Sequence, residues 1–338
     1  MYSLIIKKKN YGIQILRMIM SFWVVMNHIY KTKNKSLKNI IIEHRFHVPT
    51  FIIISFYFLN NNLVKRNINK INERLERLLI PYILYPTLNY IIFNFFYIFF
   101  NAKSLAIKFE SLITQLIIGR GIFNVLWFNF NLIFLIILFH IISFLFKSNY
   151  LLILQIIGIF AYLAQFSDYN FIFFNKYSNR IKFSVGYIVE TIPLAITGLW
   201  ISSLDIINKL KNSRFKAIFF SFFFIFFFFK YDVFKQVKGF GKQGLMYNIG
   251  GCFFFISFSL LPLDNINKKF IILINYITNF TAGIYILHTK IYYILKNEIL
   301  SINFNNGLGC LYIYIICYLI CMICYNILKK TKLKYLFI

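Results

Sequence analysis

A chain of 338 residues in which 59% of the side chains are hydrophobic and only 14% are charged, at a mean hydropathy of +0.68, is not an ordinary water-soluble domain; that balance belongs to polytopic membrane proteins. The formal charge of +27 raises nucleic acid as a partner, but the lysines and arginines lie mostly in short connectors between apolar runs. There they anchor helix ends and meet anionic membrane lipids, so nucleic acid is set aside.

Taken in chain order, residues 1–11 form a basic segment with Lys7, Lys8 and Lys9. The apolar run that follows is too long for a signal core and lacks a small-residue cleavage site, so the first span, residues 12–30, is expected as an uncleaved signal anchor. A basic connector over 31–46 leads to a short second span, 47–59, expected to stop at Asn60, Asn61 and Asn62 and to lie tilted or partly buried. Residues 65–77 form a charged connector in which Glu73 and Arg77 stand at i,i+4, the spacing of an interfacial helix or of a solvated charged face. The third span, 78–100, contains Pro81 and Pro86; neighbouring helices satisfy the backbone groups that proline frees. Residues 101–124 read as a partly amphipathic loop.

Spans four and five, 125–146 and 150–166, are joined so tightly that they are expected to run antiparallel. A polar, aromatic stretch over 167–184 precedes spans six to eight at 185–201, 217–229 and 244–261, with the phenylalanine run at 222–229 as lipid-facing filler. The ninth span, 270–295, and the tenth, 307–328, precede a basic segment over 329–338. Cys252, Cys310, Cys317, Cys321 and Cys324 all sit in apolar runs, where they read as small apolar side chains without a disulfide. The expectation is an all-α, polytopic transmembrane helix bundle of about ten spans in one domain, 12–328. Lysine and arginine divide almost evenly between the two sides. The basic segments at both ends favour cytoplasmic termini, with the plasma (inner) membrane as the expected location.

The first span carries Arg17 and His28. Eleven positions on an α-helix are three turns plus about 20°, so the two side chains share one face about 16 Å apart along the axis. Such groups inside a span tend to face the protein interior and mark a functional site. An imidazole titrates near neutrality, which suits His28 to take a hydroxyl proton; a hydrogen-bonded structural histidine is the plainer alternative. The planar cation of Arg17 suits phosphate, unless it pairs with Glu190, the only carboxylate well inside a predicted span. Glu43, His44 and His47 form E-H-x-x-H, the wrong order for the zinc helix H-E-x-x-H, and no metal site is expected. Glycine-rich phosphate loops, G-x-S-x-G elbows and zinc-ribbon spacings do not occur, which argues against soluble nucleotide-dependent or serine-hydrolase chemistry.

Around this pair stand five ordered stretches: H-V-P-T-F-I-I-I-S (47–55), R-L-E-R-L-L-I-P-Y (74–82), V-L-W-F-N-F-N-L-I (125–133), I-P-L-A-I-T-G (192–198) and F-T-A-G-I-Y-I-L-H (280–288). With I-L-R ending at Arg17 and the following His28, they resemble the motifs of the acyltransferase 3 family of integral-membrane acyltransferases over nearly the whole chain. One departure is Phe56, where the family usually has glycine after Ser55, which bears on how closely backbones pack there.

The resemblance implies transfer of an acyl group, most often acetyl, from cytoplasmic acyl-CoA (acetyl-CoA) as co-substrate to a hydroxyl of a cell-surface polysaccharide or lipid-linked glycan. It implies His28 as the catalytic base and His288 as a second catalytic residue, either proton relay or acceptor contact. Arg17, Arg74, Arg77 and Trp127 would hold the donor, with Glu190 and Ser55 contacting substrate or supporting the site. Arg74 and Arg77 equally suit lipid phosphates, and Trp127 an aromatic belt. The competing class is a transporter of a lipid-linked sugar or solute, with Arg17 and Glu190 as pathway charges.

Overall fold

The computed structural model describes residues 10–30, 46–100, 108–119, 126–166, 179–211, 218, 221, 245–261, 267–295 and 307–338. Among these residues the chain forms helices and no strand. The first six are α1 (Tyr11–Ile29), α2 (His47–Val64), α3 (Ile68–Phe100), α4 (Phe109–Ile118), α5 (Trp127–Phe146) and α6 (Tyr150–Phe166). Six more follow: α7 (Asn179–Ser203), α8 (Ile206–Lys211), α9 (Leu245–Ser259), α10 (Lys268–Thr278), α11 (Thr281–Ile294) and α12 (Gly307–Leu328).

Helix α1 starts where the Asn10 side chain accepts from the Ile13 amide, a side-chain cap for an otherwise orphaned donor. Its buried Ile13, Leu16, Met20 and Val24 recur at the three- and four-residue steps of one helix face. This face places α1 centrally, against α9 and α2 on one side and α11 and α12 on the other.

Several boundaries differ from the sequence expectation. The three asparagines do not end the second helix: α2 runs on to Val64, because Asn60 is buried and its Oδ1 accepts from the Tyr150 hydroxyl at 2.9 Å. The charged connector is mostly the first turns of α3, one 33-residue helix that continues through Pro81 and Pro86. The expected loop after it contains α4, held by the Tyr82 hydroxyl donating to the Gln115 carbonyl at 2.6 Å. The ninth span is broken: α10 and α11 meet at a 57° bend. All of the expected span at 217–229 except residues 218 and 221, including its phenylalanine run, and residues 31–45 of the expected connector, with Glu43 and His44, lie outside the described residues.

Among the described residues the expected count of about ten spans is therefore not confirmed. Among the described residues four stretches are long and apolar enough to cross a membrane, Tyr11–Ile29, Trp127–Ala164, Val185–Ser203 and Gly307–Leu328, or five if the bent pair counts as one span. The physical reason is dilution and interruption: α2 carries three asparagines, α3 opens on charged turns, and α9 has only 15 residues. Within Trp127–Ala164, Lys147 at φ 44° breaks the helix. Tyr150 then bonds to α2, and Gly158 faces Ile196 of α7, so α5 and α6 double back as a hairpin.

The most intimate packing is between α2 and α7. A Cβ on Gly198 of α7 would lie 2.5 Å from the Ile53 carbonyl oxygen and 3.0 Å from the Tyr57 nitrogen of α2. Phe56, at the position where glycine was noted as usual, is fully buried and sets its ring 5.2 Å from Phe139 of α5. The glycine that permits backbone contact thus comes from the opposing helix. Gly198→Ala is expected to cost about 1–3 kcal/mol by overpacking, read as a lowered thermal midpoint of the purified protein in detergent. Gly186→Ala, with nothing within 4 Å of its added Cβ, is expected to leave the midpoint unchanged.

Candidate active site

A cavity of about 690 Å³ opens where α1, α2, α3, α5 and α11 converge with the C-terminal segment. Arg17, Lys70, Arg74 and Arg77 line it, with Glu73 as the one carboxylate among its lining residues. Each arginine is positioned by a different local device. The bend before α11 sets Thr281 beside α1, so that Arg17 Nη2 donates to Thr281 Oγ1 at 3.2 Å, while its Nη1 reaches Gln14 Oε1 at 3.4 Å. One turn of α3 brings Glu73 under Arg77 as an i,i+4 ion pair. Arg74, on the inner side of the same turn, donates from Nη2 to the Ser55 carbonyl oxygen at 2.7 Å.

Burial, then the neighbouring Arg17 and Arg77 cations, push the Arg74 guanidinium down to about 10. Removal from water and like charges both disfavour the protonated form. Arg74 remains a cation at neutral pH, in a cavity that lacks enough carboxylates to balance it. Such a concentration of positive charge, with planar donors from two helices, is suited to phosphate groups.

The two histidines named from the sequence meet at a second place. His28, exposed near the C-terminal end of α1, and His288, fully buried on α11, have ring centroids 5.0 Å apart. His288 Nδ1 lies 3.2 Å from the Ile284 carbonyl oxygen. A carbonyl can only accept, so Nδ1 carries the hydrogen and Nε2 holds the lone pair of the neutral ring. Tyr285 links the two places: it lines the basic cavity and its ring lies 6.2 Å from that of His288.

Arg17, Ser55, Arg74 and Arg77 thus share one cavity, and His28 and His288 one contact. The backbone carbonyl of Ser55 accepts from Arg74. Trp127 is not among the cavity-lining residues; it stacks on Tyr187 of α7 at 4.3 Å, while its neighbour Phe128 faces the cavity. Glu190 is also not among them, and the Arg17–Glu190 pairing does not form: the bonds of Arg17 go to Gln14 and Thr281. Sequence reasoning missed Lys70, Thr281, Tyr285 and Tyr335. Thr281 and Tyr285 sat inside a quoted motif, whereas Tyr335 carried no signal. Among the described residues no group of three or more His, Cys, Asp or Glu is placed to hold a metal ion, and all five cysteines are free.

A family model described as an acyltransferase domain matches residues 10–326 of the chain. No curated protein and no solved structure matches it.

The Arg74 environment sets a pH dependence. Its guanidinium loses charge as pH rises through about 10. Inorganic pyrophosphate binding, followed by calorimetry at constant ionic strength, is therefore expected to weaken above about pH 10. Arg74→Gln is expected to bind more weakly at neutral pH and to show a smaller high-pH decline.

Proposed function

Because the chain belongs to the acyltransferase 3 family of integral-membrane acyltransferases, we propose that it moves an acyl group, most often acetyl, from cytoplasmic acyl-CoA to a hydroxyl of a cell-surface polysaccharide or lipid-linked glycan. The observation that carries this reading is the division of labour along α1. Arg17 stands in a cavity with two further arginines, and His28 stands beside a second histidine about 16 Å further along the same helix.

A coenzyme A thioester has phosphates at one end and sulfur at the end of a long arm. With its phosphates on Arg17, Arg74 and Arg77, the arm extends along α1 past Tyr285 toward the histidine pair. His28, on the accessible side, takes the proton from the acceptor hydroxyl as its oxygen attacks the thioester carbonyl. A carbon–oxygen bond forms, the carbon–sulfur bond breaks, and the departing thiolate takes the proton back from the imidazolium. His288, with its lone-pair nitrogen free of a hydrogen bond, relays or shares that proton. Because Arg17 lies near the start of α1 and Tyr335 lines the same cavity, one end of the bundle holds the donor and both described ends of the chain. A cytoplasmic donor supports that end facing the cytoplasm, with the plasma membrane as the proposed location.

Purified protein in detergent or liposomes is expected to transfer the acetyl group of acetyl-CoA to glycan hydroxyls. His28→Ala is expected to lower the rate by about 10²–10⁴-fold, and Arg17→Ala to weaken acetyl-CoA binding while eluting as a folded protein. Transfer that survives His28→Ala at the wild-type rate overturns the assignment.

A further inference from the structure

The segment Lys332–Leu336, a short 3-10 turn beyond α12, is fastened to two helices. Lys332 Nζ donates to Glu76 Oε1 at 2.7 Å, and the Tyr85 hydroxyl donates to the Leu336 carbonyl oxygen at 2.7 Å. Leu336 itself is buried. On the other side the Phe337 carbonyl presses against α11 at Gly283, where a Cβ would lie 2.7 Å from its oxygen. These contacts hold Tyr335 at the wall of the basic cavity, with the Arg77 guanidinium carbon 5.5 Å and the neighbouring, flexible Lys334 Nζ 5.4 Å from its ring centroid.

An aromatic ring beside clustered cations discriminates between classes of anion. A lipid headgroup or inorganic phosphate uses the cations and leaves the ring idle. A nucleotide uses both, because every base has a π-face that stacks on an aromatic side chain while its phosphates meet the guanidinium groups. We infer that Tyr335, backed by Arg77, is the stacking platform for the nucleobase of a phosphorylated adenosine donor, so that the C-terminal segment supplies specificity for the nucleotide end. This rests on the reading of the cavity as the donor site. Tyr335 acts at the binding step and leaves the reacting thioester to the histidine pair.

The test compares binding of adenosine 3′,5′-bisphosphate and inorganic pyrophosphate to the full-length protein in detergent. Wild-type protein is expected to bind the nucleotide more tightly than pyrophosphate. Tyr335→Leu is expected to weaken the nucleotide about tenfold while leaving pyrophosphate unchanged, and Tyr335→Phe to bind both as wild type does. With acetyl-CoA, Tyr335→Leu is expected to raise KM at constant kcat, and with S-acetyl-pantetheine, which lacks the nucleotide, to change neither. Equal loss of both ligands in Tyr335→Leu, or loss of neither, overturns the stacking role while the donor cavity stands. Failure of wild-type protein to bind either ligand overturns the donor cavity itself.

Discussion

Two contacts between α1 and α11 organise the site: Arg17 to Thr281 at one end and His28 to His288 at the other. They lie eleven residues apart on α1 and seven on α11, a rise of about 16 Å against about 10 Å. The helices therefore run in the same direction, and the reach of the arginine side chain accommodates the difference. The bend between α10 and α11 makes this possible. It starts a new helix at Thr281 instead of carrying a straight span past Arg17. A guanidinium and a pair of imidazoles are thus kept apart but aligned, the arrangement that the proposed elongated donor would need.

The concentration of positive charge at one end has an energetic consequence. Four cationic side chains and one acidic side chain line the cavity, and each guanidinium removed from water without a full counter-charge costs free energy. Hydrogen bonds to the Ser55 carbonyl, to Thr281 and to Gln14 offset part of that cost, and a polyphosphate would offset more. The site is preorganised for an anion because Arg17 and Arg74 are half-buried and held by hydrogen bonds before one arrives, while Lys70 and Arg77 stay exposed to water.

The remaining architecture keeps that end rigid. Gly198 lets α7 lie backbone to backbone on α2, which carries Ser55, and Phe56 fills the core on the other side of α2 against Phe139. The position that looked like a defect when only one strand of sequence was considered is compensated from a helix more than 140 residues away. The C-terminal segment closes the last wall by bonding to α3 and pressing on Gly283 of α11.

By itself the sequence determined the all-α class, the apolar character, the face shared by Arg17 and His28, the i,i+4 pair of Glu73 and Arg77, and the ordered motifs that mark the acyltransferase family. All of these depend on composition or on spacings within one helix, which side-chain chemistry and the 3.6-residue repeat make readable. Only the tertiary structure decided that three arginines from two helices share a cavity, that His28 touches His288, that Glu190 stands apart from Arg17, and that Tyr335 enters the site. The contacts of Arg17 with Thr281 and of Tyr85 with Leu336 join residues more than 250 positions apart along the chain. Local periodicity carries no information about which distant face will arrive; the bend at α11 and the close approach at Gly198 do.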